Sequence, residues 1–440
     1  MLEEILREQN PWWANAPARA AVDYPIRRDF QRALLNFVHR ESRRAILVIG
    51  PRQVGKTTAL LQILDDLLEQ GWPAGNLSYC DFSDDRITER VTPRDVADLV
   101  PPSARPDRPR LLLLDEVGRA DRWREWLKQA VDTAAVRVVA TDSAATLLLD
   151  GGVEAGQGRW DELRVSGLTF GEHLRLRARS EESIEQVLRR YPTELLRYLA
   201  LGGFPEHVFE EELRRSRTRI RSDIADRAIA RDLGATGVDV EAVRRLFVYL
   251  AADAGAIFSA KERARDLEVD IRSIKAWVAR LEEAQLISRL RPRARGAARL
   301  RAKPKLYPSD HGLVSAFATS PAPSQDPSVL GRIVETVVCT HLRNAWTPAD
   351  ERLSYFRDHR DRELDFVVDT GSSLVAVEVT SASNVRDEKL RRVREAAKAL
   401  KATKVFLVHL GFTQSAREGV VLLPLERLLL HPEIVGESRG

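Results

Sequence analysis

The stretch Ala45-Ile46-Leu47-Val48-Ile49-Gly50-Pro51-Arg52-Gln53-Val54-Gly55-Lys56-Thr57-Thr58 decides the fold. Its first five residues are apolar and of strand length. They end in a glycine, and helical periodicity then runs from Thr57 to Glu69. Between strand and helix lies G-x-x-x-x-G-K-T. Glycines let backbone amides curl round phosphate oxygens, and the helix N-terminus adds a favourable dipole. In that geometry Lys56 reaches the outer phosphates of a triphosphate, and the Thr57 hydroxyl ligates magnesium. The spacing alone is only moderately rare. The strand before it and the helix after it make it specific.

The second half of such a site follows. Leu111-Leu112-Leu113-Leu114-Asp115-Glu116 reads as a buried strand ending in two carboxylates. Asp115 is expected to hold magnesium through water, and Glu116 to orient and deprotonate the attacking water. Alone, the pair would read as two solvated acids; beside the phosphate pattern that reading loses force. Val138–Ser143 is the next strand end. Ser143 or Thr141 is the candidate contact to the outer phosphate or the water, although a plain helix N-cap explains Ser143 nearly as well. Arg159, in Gly158-Arg159, is a candidate arginine finger acting in cis or across a subunit boundary. Its position alone says little, because the chain holds ten lysines and 59 arginines. Leu77–Phe82 and Val136–Thr141 are further runs of strand length. Strands alternating with helices across 45–165 imply a parallel sheet covered on both faces.

The chain has 440 residues, room for roughly three domains of about 150. Hydrophobic residues make up 44%, enough for a core in each. The net charge of +4 is too small to name a partner. Cys80 and Cys339 sit in separate apolar stretches and read as buried, reduced thiols rather than a disulfide or zinc set. The N-terminus lacks the pattern of a secretory signal, and no apolar run approaches the ~20 residues that span a bilayer. A soluble, cytoplasmic protein is expected.

Residues 1–40 read as a helical segment broken at Asn10-Pro11-Trp12-Trp13, whose tryptophans should pack on the body of the protein. Residues 41–165 carry the phosphate site, and 166–235 form a helical, charge-rich lid with a turn at Gly202-Gly203-Phe204-Pro205. Residues 236–320 hold three helical patterns and two short strands. Ser259 is expected to cap one helix and Asp270 the next, in which Ile271, Ile274, Trp277, Val278 and Leu281 follow helical spacing. Leu286–Leu290 and Leu306-Tyr307 then read as strands. That order is a winged helix-turn-helix, a common duplex-DNA binder. The loop 291–305 has seven basic residues and no acid. Arg291, Arg293, Arg295, Arg299, Arg301, Lys303 and Lys305 are expected to line a phosphate backbone, with Arg272 and Lys275 on the second helix, so that 270–305 meets duplex DNA. The plainer alternative is a solvated loop on a module used for packing or self-association. Trp277 reads as core. Pro321–Pro327 reads as a linker before a mixed domain at 328–432.

At this point the chain resembles the bacterial and archaeal AAA-type ATPases that carry a C-terminal domain of unknown function with a restriction-endonuclease-like fold. The resemblance runs from about residue 24 to 425. It rests on Gly50–Thr58, Leu112–Val117, Gly158-Arg159, Ser166–Glu172, Gly202–Glu206, Lys305–Asp310, Tyr355-Phe356-Arg357, Arg362–Phe366 and Val377-Glu378-Val379 in this order. It implies an α/β chain: an AAA-type P-loop sheet with a helical lid, a winged helix, and an α/β nuclease-like domain. It implies ATP and Mg2+ as cofactors, Arg159 beside a nucleotide, and self-association. One departure is Thr141-Asp142-Ser143, where the family usually has Thr-Gly-Ser; an acid beside bound phosphate is repulsive.

The resemblance also places Glu335, Asp365 and Glu378 on the three acidic positions of a nuclease site, where they would bind a second magnesium. The second departure lies here. Residues two apart on a strand share a face, so residue 380 sits beside Glu378. A working site has lysine there; this chain has Thr380, which supplies no positive charge. Lys389 and Arg357 are the candidate substitutes. The expectation is a fold kept and cleavage lost or weakened, in an ATP-hydrolysing, DNA-binding protein. An ATP-regulated, magnesium-dependent nuclease and an ATP-dependent protein scaffold are the alternatives.

Overall fold

The computed structural model describes residues 2–14, 26–40, 44–87, 90–99, 101, 104–133, 136–142, 158–178, 182–190, 193–233, 239–294, 302–346 and 352–436. The chain divides into two compact units, Met1–Val165 and Ser166–Gly440. No helix among the described residues is long and apolar enough to cross a membrane.

In the first unit, β1 (Ala45–Ile49), β2 (Leu77–Asp81), β3 (Leu111–Asp115), β4 (Arg137–Asp142) and β5 (Trp160–Arg164) form one sheet. Its order is β2-β3-β4-β1-β5, and every pair is parallel. All five residues of β1 and of β3 are buried, as expected where helices cover both faces of a parallel sheet. Leu47, Ile49, Leu112, Leu114 and Ala140 line one face and join a core with Leu6, Trp123 and Leu127. The segment Asn10–Trp13 packs on the β2 edge. The indole nitrogens of Trp12 and Trp13 both donate to the Leu77 carbonyl, at 3.0 and 2.8 Å, and Asn10 exchanges two hydrogen bonds with the Tyr79 backbone. Edge carbonyls left open by the sheet are satisfied in this way. Strand β5 was not anticipated: Trp-Asp-Glu-Leu-Arg is polar and largely exposed, which suits an edge.

In the second unit, helices Ala260–Asp266 and Ile271–Glu283 are followed by the antiparallel pair β6 (Ile287–Leu290) and β7 (Lys305–Pro308). Asp270 caps its helix by accepting from the Arg272 amide at 2.6 Å, whereas Ser259 makes no side-chain cap. Trp277 is buried as expected, while Ile271 is exposed. A mixed sheet follows: β8 (Leu353–Arg357), β9 (Glu363–Asp369), β10 (Leu374–Val379), β11 (Lys404–His409), β12 (Ser415–Arg417) and β13 (Val420–Pro424), in the order β12-β13-β11-β10-β9-β8. The helix Leu213–Arg219 continues as π-helix through Leu233 apart from Arg227. Phe170, Tyr198, Leu290, Tyr307, Val337, Tyr355 and Phe366 belong to one apolar core. Segments 166–235, 236–320 and 328–432 therefore contribute to a common interior.

The chain leaving β6 is stitched to the sheet. Arg293 N donates to Tyr355 O at 2.7 Å, and Tyr355 N to Arg291 O at 3.1 Å. Pro292 thereby pairs in parallel with Tyr355, extending the β8 edge.

Candidate functional site

The loop 50–55 leaves β1 at its carboxyl end and enters the helix Lys56–Glu69. Gly50 must be glycine: a Cβ there would meet the Val165 carbonyl oxygen at 2.6 Å. Gly55 has φ 91° and Gln53 φ 60°, both in the left-handed region that closes the turn. Pro51 and Val54 are buried, Arg52 and Thr58 half-buried, and Gln53 and Thr57 exposed. Arg28 supports the loop from outside by donating to the Val54 carbonyl.

Lys56 is buried, and its ammonium donates to Gly50 O at 2.8 Å and Pro51 O at 2.9 Å. Burial lowers its pKa, while Glu116, Asp115 and Asp142 act to raise it; Arg52 adds to the lowering. Register explains that company. Strands β3, β4 and β1 are neighbours, and Asp115, Asp142 and Ile49 end them on one rim. Asp115 is buried and shares its carboxylate between the Thr141 hydroxyl and the Tyr79 hydroxyl, the latter at 3.1 Å. Burial raises its pKa; hydrogen bonds from Thr141 and Thr57 oppose the rise. Glu116 follows with φ 52°, and its amide donates to Thr141 Oγ1 at 3.2 Å.

Lys56, Thr57, Asp115 and Glu116 thus converge. Thr57 with Asp115 suits magnesium, which takes one or two carboxylates plus phosphate oxygens. Thr141 is held between Asp115 and Glu116, while Ser143 lies outside the described residues. Arg159 does not join them in its own chain. Its carbonyl accepts from Ala45 N at the start of β1, five residues before the loop, or roughly 16 Å away along the strand. Its guanidinium pairs with Asp132 at 3.0 Å and is partly exposed. Tyr79, Arg28 and the burial of Asp142 escaped the sequence reading. Alternation along β2, which puts residues 77, 79 and 81 on one face, was the available signal for Tyr79.

In the second unit, Glu335 on the helix Pro327–Ala345, Asp365 on β9 and Glu378 on β10 do meet. Asp365 and Glu378 are cross-strand neighbours: Asp365 N donates to Glu378 Oε2 at 3.2 Å, and Val379 N to Asp365 Oδ2 at 3.0 Å. Two lysines complete the cluster. Lys389, from the helix Asp387–Leu400, pairs with Glu378 Oε1. Lys305 lies 3.3 Å from Glu335 Oε1, 2.8 Å from Glu363 Oε1 and 3.2 Å from Asp365 Oδ1. Tyr307 OH donates to Glu335 Oε1 at 2.7 Å, and the Tyr355 ring centre is 5.6 Å from the Lys305 ammonium. Burial and then the Asp365 charge push Glu335 up to about 7 and Glu378 up to about 8. Among the described residues, no group of three acids, histidines or cysteines has metal-holding geometry. Among the described residues no cation is bonded to Thr380; its hydroxyl accepts from Ala382 N at 3.3 Å.

This corrects the reading of the basic loop. Lys305 is buried against acids and faces no phosphate backbone. Arg293 pairs with Asp369 at 2.7 Å. Lys303, Arg272 and Lys275 are exposed and Arg291 is half-buried, while Arg295, Arg299 and Arg301 lie outside the described residues.

Comparison with known proteins agrees with the first unit. Residues 42–174 match a family described as an AAA domain. Residues 192–324 and 330–428 match two families each described as a domain of unknown function, DUF8612 and DUF4143. An uncharacterized protein of Mycobacterium tuberculosis is 26% identical over 413 residues, covering 92% of this chain and 84% of the relative. One of Haemophilus influenzae is 24% identical over 276 residues, covering 61% and 67%. AMPPCP-bound DnaA from Aquifex aeolicus aligns at 15% identity and TM-score 0.25, over 58% of this chain and 86% of that one. Cdc6p from Pyrobaculum aerophilum aligns at 11% identity and TM-score 0.29, over 74% and 98%. Likenesses this distant add no weight. The AAA-type assignment rests on the family match and on the parallel sheet with its phosphate loop.

Proposed function

We propose that the first unit binds ATP with magnesium and hydrolyses it, and that the second binds duplex DNA. One observation carries the ATPase reading: a buried Lys56 under the 50–55 loop, facing Asp115 and Glu116, with Thr57 bonded to Asp115. The loop amides and Lys56 hold the phosphates, and Glu116 takes the proton of the attacking water. Magnesium, held by Thr57 and Asp115, supplies charge neutralisation at the phosphates. Arg159, remote from its own loop, acts on this reading across a subunit boundary in a self-associated form. Titration of purified protein with a fluorescent ATP analogue and magnesium tests the core of the reading; absence of measurable affinity overturns it.

Asp142 tunes the site. It is buried at the end of β4, level with Ile49 and near Lys56. A carboxylate there repels incoming phosphates. Asp142→Asn is expected to tighten ATP binding by about 1 kcal/mol, roughly fivefold. The same titration reads it out, and weaker binding would mean that Asp142 chiefly positions Lys56.

The DNA reading is supported by the helix Ile271–Glu283, which exposes Arg272 and Lys275, and by the exposed Lys303 beside the hairpin. Arg272→Ala with Lys275→Ala is expected to weaken duplex binding and lower its log–log salt slope by about 1 for each cation removed from the phosphate backbone. Unchanged binding across 50–200 mM salt would favour the protein-scaffold alternative.

A further inference from the structure

We infer that Lys305 is the built-in cation of the Glu335–Asp365–Glu378 cluster, standing where a divalent metal would otherwise sit, so that this cluster takes up no metal in the native chain. The geometry is that of a filled site. An ammonium has three N–H donors, and Lys305 meets three carboxylates, Glu335, Glu363 and Asp365, between 2.8 and 3.3 Å. Its side chain is 3% exposed, so little solvent competes for those bonds. The remaining partners are also engaged. Glu378 is bound by Lys389 and the Asp365 amide, the second Asp365 oxygen by the Val379 amide, and Glu335 by the Tyr307 hydroxyl.

The position of Lys305 is fixed by its backbone. It opens β7, pairs with Leu290 of β6, and forms a bridge with Ile257. The Tyr355 hydroxyl donates to Lys303 O at 2.6 Å just upstream. Gly255, at φ 81°, packs so closely on Glu335 that a Cβ would meet Oε1 at 2.6 Å. A metal ion entering would need two or three of these oxygens at about 2.0–2.2 Å. It would have to displace a like charge that is buried and bonded to three carboxylates. Buried carboxylates must be paired with some cation, and here the chain supplies its own. The donor set therefore does not fit the second magnesium that the nuclease resemblance implies. The obstacle is Lys305, more than the threonine at 380, because Lys389 already provides a cation beside Glu378.

The test uses Mn2+ and nucleotide-free full-length protein, so it does not depend on the ATP reading. Free Mn2+ is followed by electron paramagnetic resonance, and melting is recorded with and without Mn2+. Wild type and Asp365→Asn are expected to bind Mn2+ identically, since the cluster takes none. Lys305→Met is expected to gain an equivalent of bound Mn2+ that Lys305→Met with Asp365→Asn lacks, and to melt about 5 °C or more higher with Mn2+. A Lys305→Met chain that folds only when Mn2+ is present supports the inference equally. Mn2+ uptake by wild type that Asp365→Asn abolishes overturns it. So does a folded Lys305→Met that gains no Mn2+.

Discussion

Lys56→Ala is expected to weaken ATP binding by roughly a hundredfold, about 3 kcal/mol. The ammonium now donates to the Gly50 and Pro51 carbonyls at 2.8 and 2.9 Å, bonds it can trade for phosphate oxygens without moving far. Alanine removes both the charge and the filled volume beneath the loop. It also leaves Asp115 and Asp142, both buried, without the cation they face. The variant should therefore melt lower even without nucleotide, as expected when a buried charge loses its counter-charge. The two effects separate by experiment: a titration at a temperature well below the variant's melting point reads only affinity. Wild-type affinity in a folded Lys56→Ala chain would remove the phosphate loop from any account of this protein.

What the sequence made legible follows from how local each signal is. Gly50 to Thr57 is a turn specified by its own residues, and the four apolar strands are short continuous runs, so both could be read directly. Strand β5 could not be, because Trp160–Arg164 is an exposed edge with no apolar run. That omission carried a second one with it. Once β5 lies parallel to β1, Arg159 falls at the amino end of the sheet, opposite the phosphate loop of its own chain.

The acidic cluster shows the same limit from another side. Glu335, Asp365 and Glu378 were placed by resemblance, and the fold brings them together. Of their two cations, Lys389 was a candidate from the sequence, whereas Lys305 had been assigned to a phosphate backbone. Lys305 sits in a run of alternating basic residues that looks solvated, and only acids 30, 58 and 60 positions later make it a buried ion. Lys389, one of the two substitutes considered for the lysine missing at 380, reaches Glu378 from the helix Asp387–Leu400, while the other, Arg357, pairs with Asp361. Charge pairs between distant segments leave no periodic trace, whereas a turn or an amphipathic strand does.

Glu116→Gln should leave ATP binding within about twofold of wild type and lower turnover by roughly 10²–10⁴, the usual worth of a positioned general base. The substitution keeps shape and hydrogen-bonding capacity, so the backbone at φ 52° and its bond from the amide to Thr141 Oγ1 need not change. What disappears is the group that accepts a proton from water. Asp115 is a poor substitute, because its carboxylate is committed to Thr141, Tyr79 and Thr57. Asp142 is the other acid near Lys56, and its burial argues against water access. Steady-state phosphate release, measured beside binding of a non-hydrolysable analogue, distinguishes the cases. Turnover that survives in Glu116→Gln and falls only when Asp142→Asn is added would move the base to β4. Turnover lost together with binding would make Glu116 a structural partner of Lys56 instead of the base.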